Sequence, residues 1–300
     1  MKNNYCERGG IELNLIKVKN IRNIPLRKRG FMIWTKLGFI SFLFLMTFGC
    51  QSQTVSNSSD KTISNAPSNS ANQSNSQTKI TEPRTIKFES AEKTEIVGTF
   101  YESAKADSPA VLLLHQFGSN RKSYDEFARR LQAKGFGVLA IDGRGFGESV
   151  RTTDGKTLSP SQTNETVKAM KADVANAFDF LAKQKNVDAA KIGIVGASYG
   201  SSLAIIYGAE NPKVKAVALV SPGLNYFGNL PTEPAVKSYG NRALLLVAAE
   251  DDKESAETVR KLTPSNDKYE TQIYPKGGHG TALFAVGLQE LLEQFLTKSL

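Results

Sequence analysis

The stretch Lys191-Ile-Gly-Ile-Val-Gly-Ala-Ser-Tyr-Gly200 constrains this chain more than any other. Its first half, Ile192 to Val195, is a short apolar run that predicts a buried strand. Its second half, Gly196-Ala197-Ser198-Tyr199-Gly200, has the form G-x-S-x-G, and Ser201-Ser-Leu-Ala-Ile-Ile-Tyr207 follows with helical spacing. A strand that turns at once into a helix needs small residues on both sides of the serine, where a side chain would collide with strand and helix. Such a turn leaves Ser198 exposed at the carboxyl end of a sheet and aims the Tyr199 amide at the place where an oxyanion would form. The competing reading is a plain strand-to-helix turn whose serine caps the helix.

The rest of the chain separates the two readings. There are two histidines, His115 and His279, and the second lies in Lys276-Gly-Gly-His-Gly-Thr-Ala282, near the end. Between the serine and His279, Ala243-Leu-Leu-Leu-Val-Ala-Ala249 predicts another buried strand, ending in Glu250-Asp251-Asp252. The order is therefore serine, acid, histidine, each at the end of a strand. On these motifs, over residues 84–300, the sequence resembles the α/β-hydrolase superfamily, in its dienelactone-hydrolase-like and serine-esterase branch.

The resemblance implies a hydrolase in which Ser198 attacks an acyl carbonyl, His279 carries the proton, and a carboxylate orients the imidazole. Related sequences read Gly-x-x-Asp-x-x-x-Pro after the acid strand, and Ala249-Glu-Asp-Asp252-Lys-Glu-Ser-Ala256 keeps that spacing with Ala at both ends. This selects Asp252, with Asp251 as the alternative acid. The family's His-Gly-x loop corresponds to His115-Gln-Phe-Gly-Ser-Asn120, so the second oxyanion donor is expected at Phe117, beside Tyr199, or at Gln116 if the loop shifts by one. His115 precedes the serine and is expected to brace that loop. The substrate expected is a small carboxylic ester; a short peptide or acyl-peptide is the near alternative, and a non-catalytic envelope binding protein that retains the fold is the other. No cofactor is implied, and two histidines in separate loops make no zinc site.

The segments around the motif predict an α/β domain. Arg84–Glu89 and Thr94–Tyr101 alternate like an antiparallel hairpin, and Pro109–His115, Gly135–Asp142 and Val214–Val220 read as further strands. Ser123-Tyr-Asp-Glu126 has the form of a capping box opening a helix to Lys134. A long helix is predicted from Asn164 to Lys185, with Val167, Met170, Val174, Phe178 and Leu181 on one face. Asp142-Gly-Arg-Gly-Phe-Gly-Glu-Ser149 lacks the phosphate-loop lysine and reads as a structural turn. Residues 222–240 are rich in Pro, Gly and Tyr and are expected to form a small flap over a fairly open site. Helices over Glu254–Leu262 and Leu283–Leu296, with a strand over Tyr269–Tyr274 between them, complete a mostly parallel sheet with an antiparallel N-terminal hairpin, helices on both faces and a minimal lid.

The net charge of +9 suggests a polyanion partner until it is located. Residues 1–50 hold nine Lys/Arg against two Asp/Glu, and the other residues hold 29 against 27. The excess is thus N-terminal, which argues for targeting rather than a nucleic-acid face. Lys36 precedes an apolar run that ends at Gly49-Cys50 and is too short to span a membrane. The segment resembles a bacterial lipoprotein signal, with Cys50 the lipidated residue; Thr47 and Phe48 stand where that pattern has Leu and a small residue. The alternative is an uncleaved anchor, and in both cases the domain faces outside the cytoplasm, in the cell envelope. Met32 would start a signal of ordinary length, so translation is expected to begin there. Residues 51–83, dominated by Ser, Asn, Gln and Thr, have no apolar periodicity and read as a disordered tether between residues 1–50 and the domain at 84–300.

Overall fold

The computed structural model describes residues 81–300. The signal segment with Cys50, the start at Met32 and nearly all of the tether lie outside those residues. Strands β1 (Arg84–Glu89) and β2 (Glu95–Tyr101) form the antiparallel hairpin. Then come β3 (Ser108–Leu114), α1 (Asp125–Ala133), β4 (Gly137–Ile141), α2 (Asn164–Ala182), β5 (Val187–Ala197), α3 (Tyr199–Glu210) and β6 (Val214–Val220). A short hairpin of β7 (Asn225–Tyr226) and β8 (Leu230–Pro231) leads into α4 (Thr232–Tyr239). The chain ends with β9 (Ala243–Ala249), α5 (Lys253–Leu262), β10 (Glu270–Tyr274) and α6 (Leu288–Ser299).

Eight strands form one sheet in the order β1-β2-β4-β3-β5-β6-β9-β10. β2 pairs antiparallel with β4, and every pair from β4 to β10 is parallel. The central strands are apolar on both faces because both are covered. Leu112, Leu114, Ile192 and Ile194 pack with α2, α3, α4 and α5, while Val111, Leu113, Val195 and Ala197 pack with α1 and α6. From β3 the chain crosses to β4 on one side, then returns to β5 on the other. Loops leaving the carboxyl ends of β3 and β5 therefore diverge and leave a crevice, where open α/β sheets bind ligands. The loop at Gln116–Asn120 and the turn at Ser198 flank that crevice.

Some local expectations are corrected. The capping box at Ser123 does not form: a 3₁₀ turn, Arg121–Tyr124, precedes α1. Asn120 caps that turn by accepting from the Lys122 amide at 3.0 Å, and the Ser123 hydroxyl instead donates to the Asn120 carbonyl at 2.9 Å. α2 stops at Ala182, short of Lys185. Residues 222–240 hold more than a flap: α4 lies on α3, with Ala235, Val236 and Tyr239 in the same core, so burial organises a stretch whose composition reads as loop. The expected closing helix is split. Gly280–Val286 is a 3₁₀ segment, and Gly287, at φ 99°, is left-handed and starts α6 afresh.

Candidate functional site

The turn after β5 has the strained geometry that the glycine spacing implies. Ser198 sits at φ 54°, ψ −126°, a conformation that costs a non-glycine residue about 1–3 kcal/mol. Its amide donates to the Val220 carbonyl at 2.8 Å, which fixes the turn to β6. Both flanking glycines are sterically required. A Cβ on Gly196 would lie 2.1 Å from the Gly200 carbonyl oxygen, and one on Gly200 would lie 2.7 Å from that of Leu114.

His279 and Asp252 meet across two loops. Asp252 stands at the N-terminus of α5, and its Oδ2 is 2.7 Å from His279 Nδ1. With Nδ1 carrying the proton, the imidazole donates to the carboxylate and is left with a basic Nε2. Burial alone would raise the Asp252 carboxyl, but hydrogen bonds from His279, Ser255 and Ser221 outweigh it and hold the group below its ordinary value. The carboxylate is therefore ionised at neutral pH and can stabilise an imidazolium. Asp251 has a different place. It accepts from the amides of Gly278 at 3.1 Å and Gly277 at 3.2 Å, which lowers its pKa and shapes the loop that carries His279.

His115 braces the loop after β3. Its Nε2 accepts from the Gly143 amide at 2.9 Å, which leaves Nδ1 to donate to the Gln116 carbonyl at 2.8 Å. Burial pushes its pKa down and keeps the ring neutral. The amides of Phe117 and Tyr199 have no acceptor among the described residues, and Tyr199 opens α3, where the helix dipole favours negative charge. These two N–H groups are thus available to an oxyanion. The Gln116 amide is also unpartnered among the described residues, while its side-chain oxygen accepts from the Thr281 amide at 3.1 Å and ties this loop to the one bearing His279. The Phe117 ring packs edge-on against Phe146 and Phe227, with centroids at 4.9 and 5.4 Å.

Two expectations need correction. Ser198 lies at the carboxyl edge of the sheet but is only 6% exposed. The Tyr226 hydroxyl, carried on the β7–β8 flap, lies within reach of the Ser198 and Ser255 side chains and donates to the Ser221 carbonyl at 2.9 Å. The opening is instead on the His279 side, where the imidazole is 43% exposed. Tyr226 and Ser221 are the site residues that sequence reasoning missed: no motif marks them, and only the end of a strand after Val220 hinted at Ser221. Asp142, outside the constellation, is buried in an ion pair with Arg121 and holds the Gly-rich turn through the Glu148 amide at 2.8 Å.

Comparison with known proteins supports a hydrolase of α/β type. A family model described as serine aminopeptidase, S33 matches residues 105–249. Lipase 1 of Psychrobacter immobilis is 26% identical over 153 residues, 51% of this chain and 44% of that protein. Acetyl xylan esterase 1 from Thermoanaerobacterium superposes with a TM-score of 0.59 at 19% identity, over 72% of this chain and 83% of that one. Dienelactone hydrolase from Anabaena variabilis does so with a TM-score of 0.54 at 20% identity, over 73% and 99%. The chain adopts the α/β-hydrolase fold. It spans less than half the length of the curated relatives it matches. Within the α/β-hydrolase fold, its elbow, its acid loop and its histidine loop all open at the carboxyl edge of the sheet.

Proposed function

We propose that this protein is a serine hydrolase that cleaves small carboxylic esters through Ser198, His279 and Asp252. The observation that carries the reading is the 2.7 Å contact between His279 Nδ1 and Asp252 Oδ2, on loops at the same sheet edge as the strained Ser198. The Ser198 hydroxyl attacks the acyl carbonyl as His279 Nε2 takes its proton, and Asp252 holds the imidazolium. The amides of Tyr199 and Phe117 receive the negative oxygen. The proton then passes to the leaving alcohol, and an acyl-enzyme remains on Ser198. Water, deprotonated by His279, releases the acid and restores the serine. No cofactor enters this scheme.

The matched description, serine aminopeptidase, S33, supports a second substrate class, small peptides, because the same groups can protonate a leaving amine. Fluorophosphonate labelling of the purified protein tests the common core. Modification is expected at Ser198 and is lost in His279→Ala; rates on p-nitrophenyl esters and on short peptide anilides then separate the two substrates. No labelling of a folded sample refutes the reading and favours a binding protein. We further propose, from the sequence alone, that Cys50 is lipidated and tethers the domain to a membrane in the cell envelope. Metabolic labelling with a palmitate analogue, abolished in Cys50→Ser, is the expected result.

A further inference from the structure

β6 ends at Val220, and the next residue, Ser221, is left-handed at φ 49° with no exposed surface. Glycine occupies that backbone region without penalty and serine does not. Every polar group of Ser221 is nevertheless engaged. Its amide donates to the Val247 carbonyl at 2.8 Å, and its carbonyl accepts from the Tyr226 hydroxyl at 2.9 Å. Its Oγ accepts from the amide of Gly280, the residue after His279, at 2.9 Å. Ser221 is also among the groups that, against burial, hold the Asp252 carboxyl below its ordinary value. Ser221 therefore holds the backbone of the loop that carries His279. It also anchors the flap tyrosine that lies against Ser198.

We infer that Ser221 is a positioning residue: its hydroxyl, holding the Gly280 amide next to His279, sets the distance and angle of the His279–Asp252 contact. The inference rests on the proposed hydrolase for its kinetic consequence, but its geometric consequence is independent of it. A serine that merely satisfies its own buried groups would affect stability alone. A positioning serine also governs the proton that His279 Nδ1 shares with Asp252.

Two variants of the full chain test this. Ser221→Gly accepts the left-handed backbone and removes the hydroxyl; Ser221→Ala removes the same hydroxyl and keeps the strain. The far-downfield imidazole N–H resonance of His279, assigned by its absence in His279→Ala, is expected to move in both variants. With p-nitrophenyl acetate as the probe, kcat is expected to fall about tenfold in both, with KM changed less than about twofold, as befits loss of a buried hydrogen bond that places a reacting group. An unmoved resonance overturns the inference, whether or not kcat falls, and so does a wild-type kcat in Ser221→Gly. If wild type neither labels at Ser198 nor turns over ester, the proposed function fails, and the resonance alone decides the role of Ser221.

Discussion

Replacing Ser198 by glycine should remove the proposed nucleophile and stabilise the fold. The backbone at φ 54°, ψ −126° is costly for any residue with a Cβ; relief of that strain is worth about 1–3 kcal/mol. Against it stand about 0.5–1 kcal/mol for the greater freedom of glycine in the unfolded chain and up to about 0.8 kcal/mol for one lost buried carbon. The net is about 1 kcal/mol in favour of glycine, or a Tm about 2–4 °C higher for a domain of this size. Ser198→Ala is the proper reference, since it loses the hydroxyl and retains the strain. Thermal and urea unfolding of the two variants measure the difference, and neither variant should label with fluorophosphonate. If Ser198→Gly is less stable than Ser198→Ala, the turn stores no usable strain and the reasoning fails.

Two other outcomes follow from the same geometry. Asp252→Asn should lower kcat on an ester substrate by about 10⁴-fold, because an amide can hold the imidazole in the wrong tautomer. Asp251→Asn should cost far less, since it touches only the amides of Gly277 and Gly278; equal losses in the two variants would count against the assignment. His115 supplies a pH signature. Its folded pKa is below its ordinary value of 6.5 because of burial, so the unfolded chain binds a proton that the folded one refuses. Its contribution to stability is present above 6.5 and is lost as pH falls from there toward the folded value. Urea unfolding across that range should show the loss, and His115→Gln should flatten it.

Much of the fold was legible because the central strands are apolar on both faces, and only a covered parallel sheet needs that. Ser198 was legible because a strand-to-helix turn this tight admits glycine alone at 196 and 200, which leaves a readable spacing. His279 and the acidic pair were legible from chain order. The choice between Asp251 and Asp252 is a matter of neighbours: one residue along a loop decides whether a carboxylate meets an imidazole or two backbone amides. α4 was missed because its stability comes from packing on α3 rather than from a periodic pattern in a stretch rich in Pro, Gly and Tyr. No motif marks Ser221 or Tyr226, since a contact such as that of Ser221 with Gly280 joins positions distant in the chain. The sequence by itself determined the sheet, the elbow and the order of serine, acids and histidine, because strand burial and steric limits act locally. Only the tertiary structure decided which acid faces His279, how deeply Ser198 is buried and which hydroxyl holds the His279 loop, because those contacts exist only once the strand ends are brought to one edge.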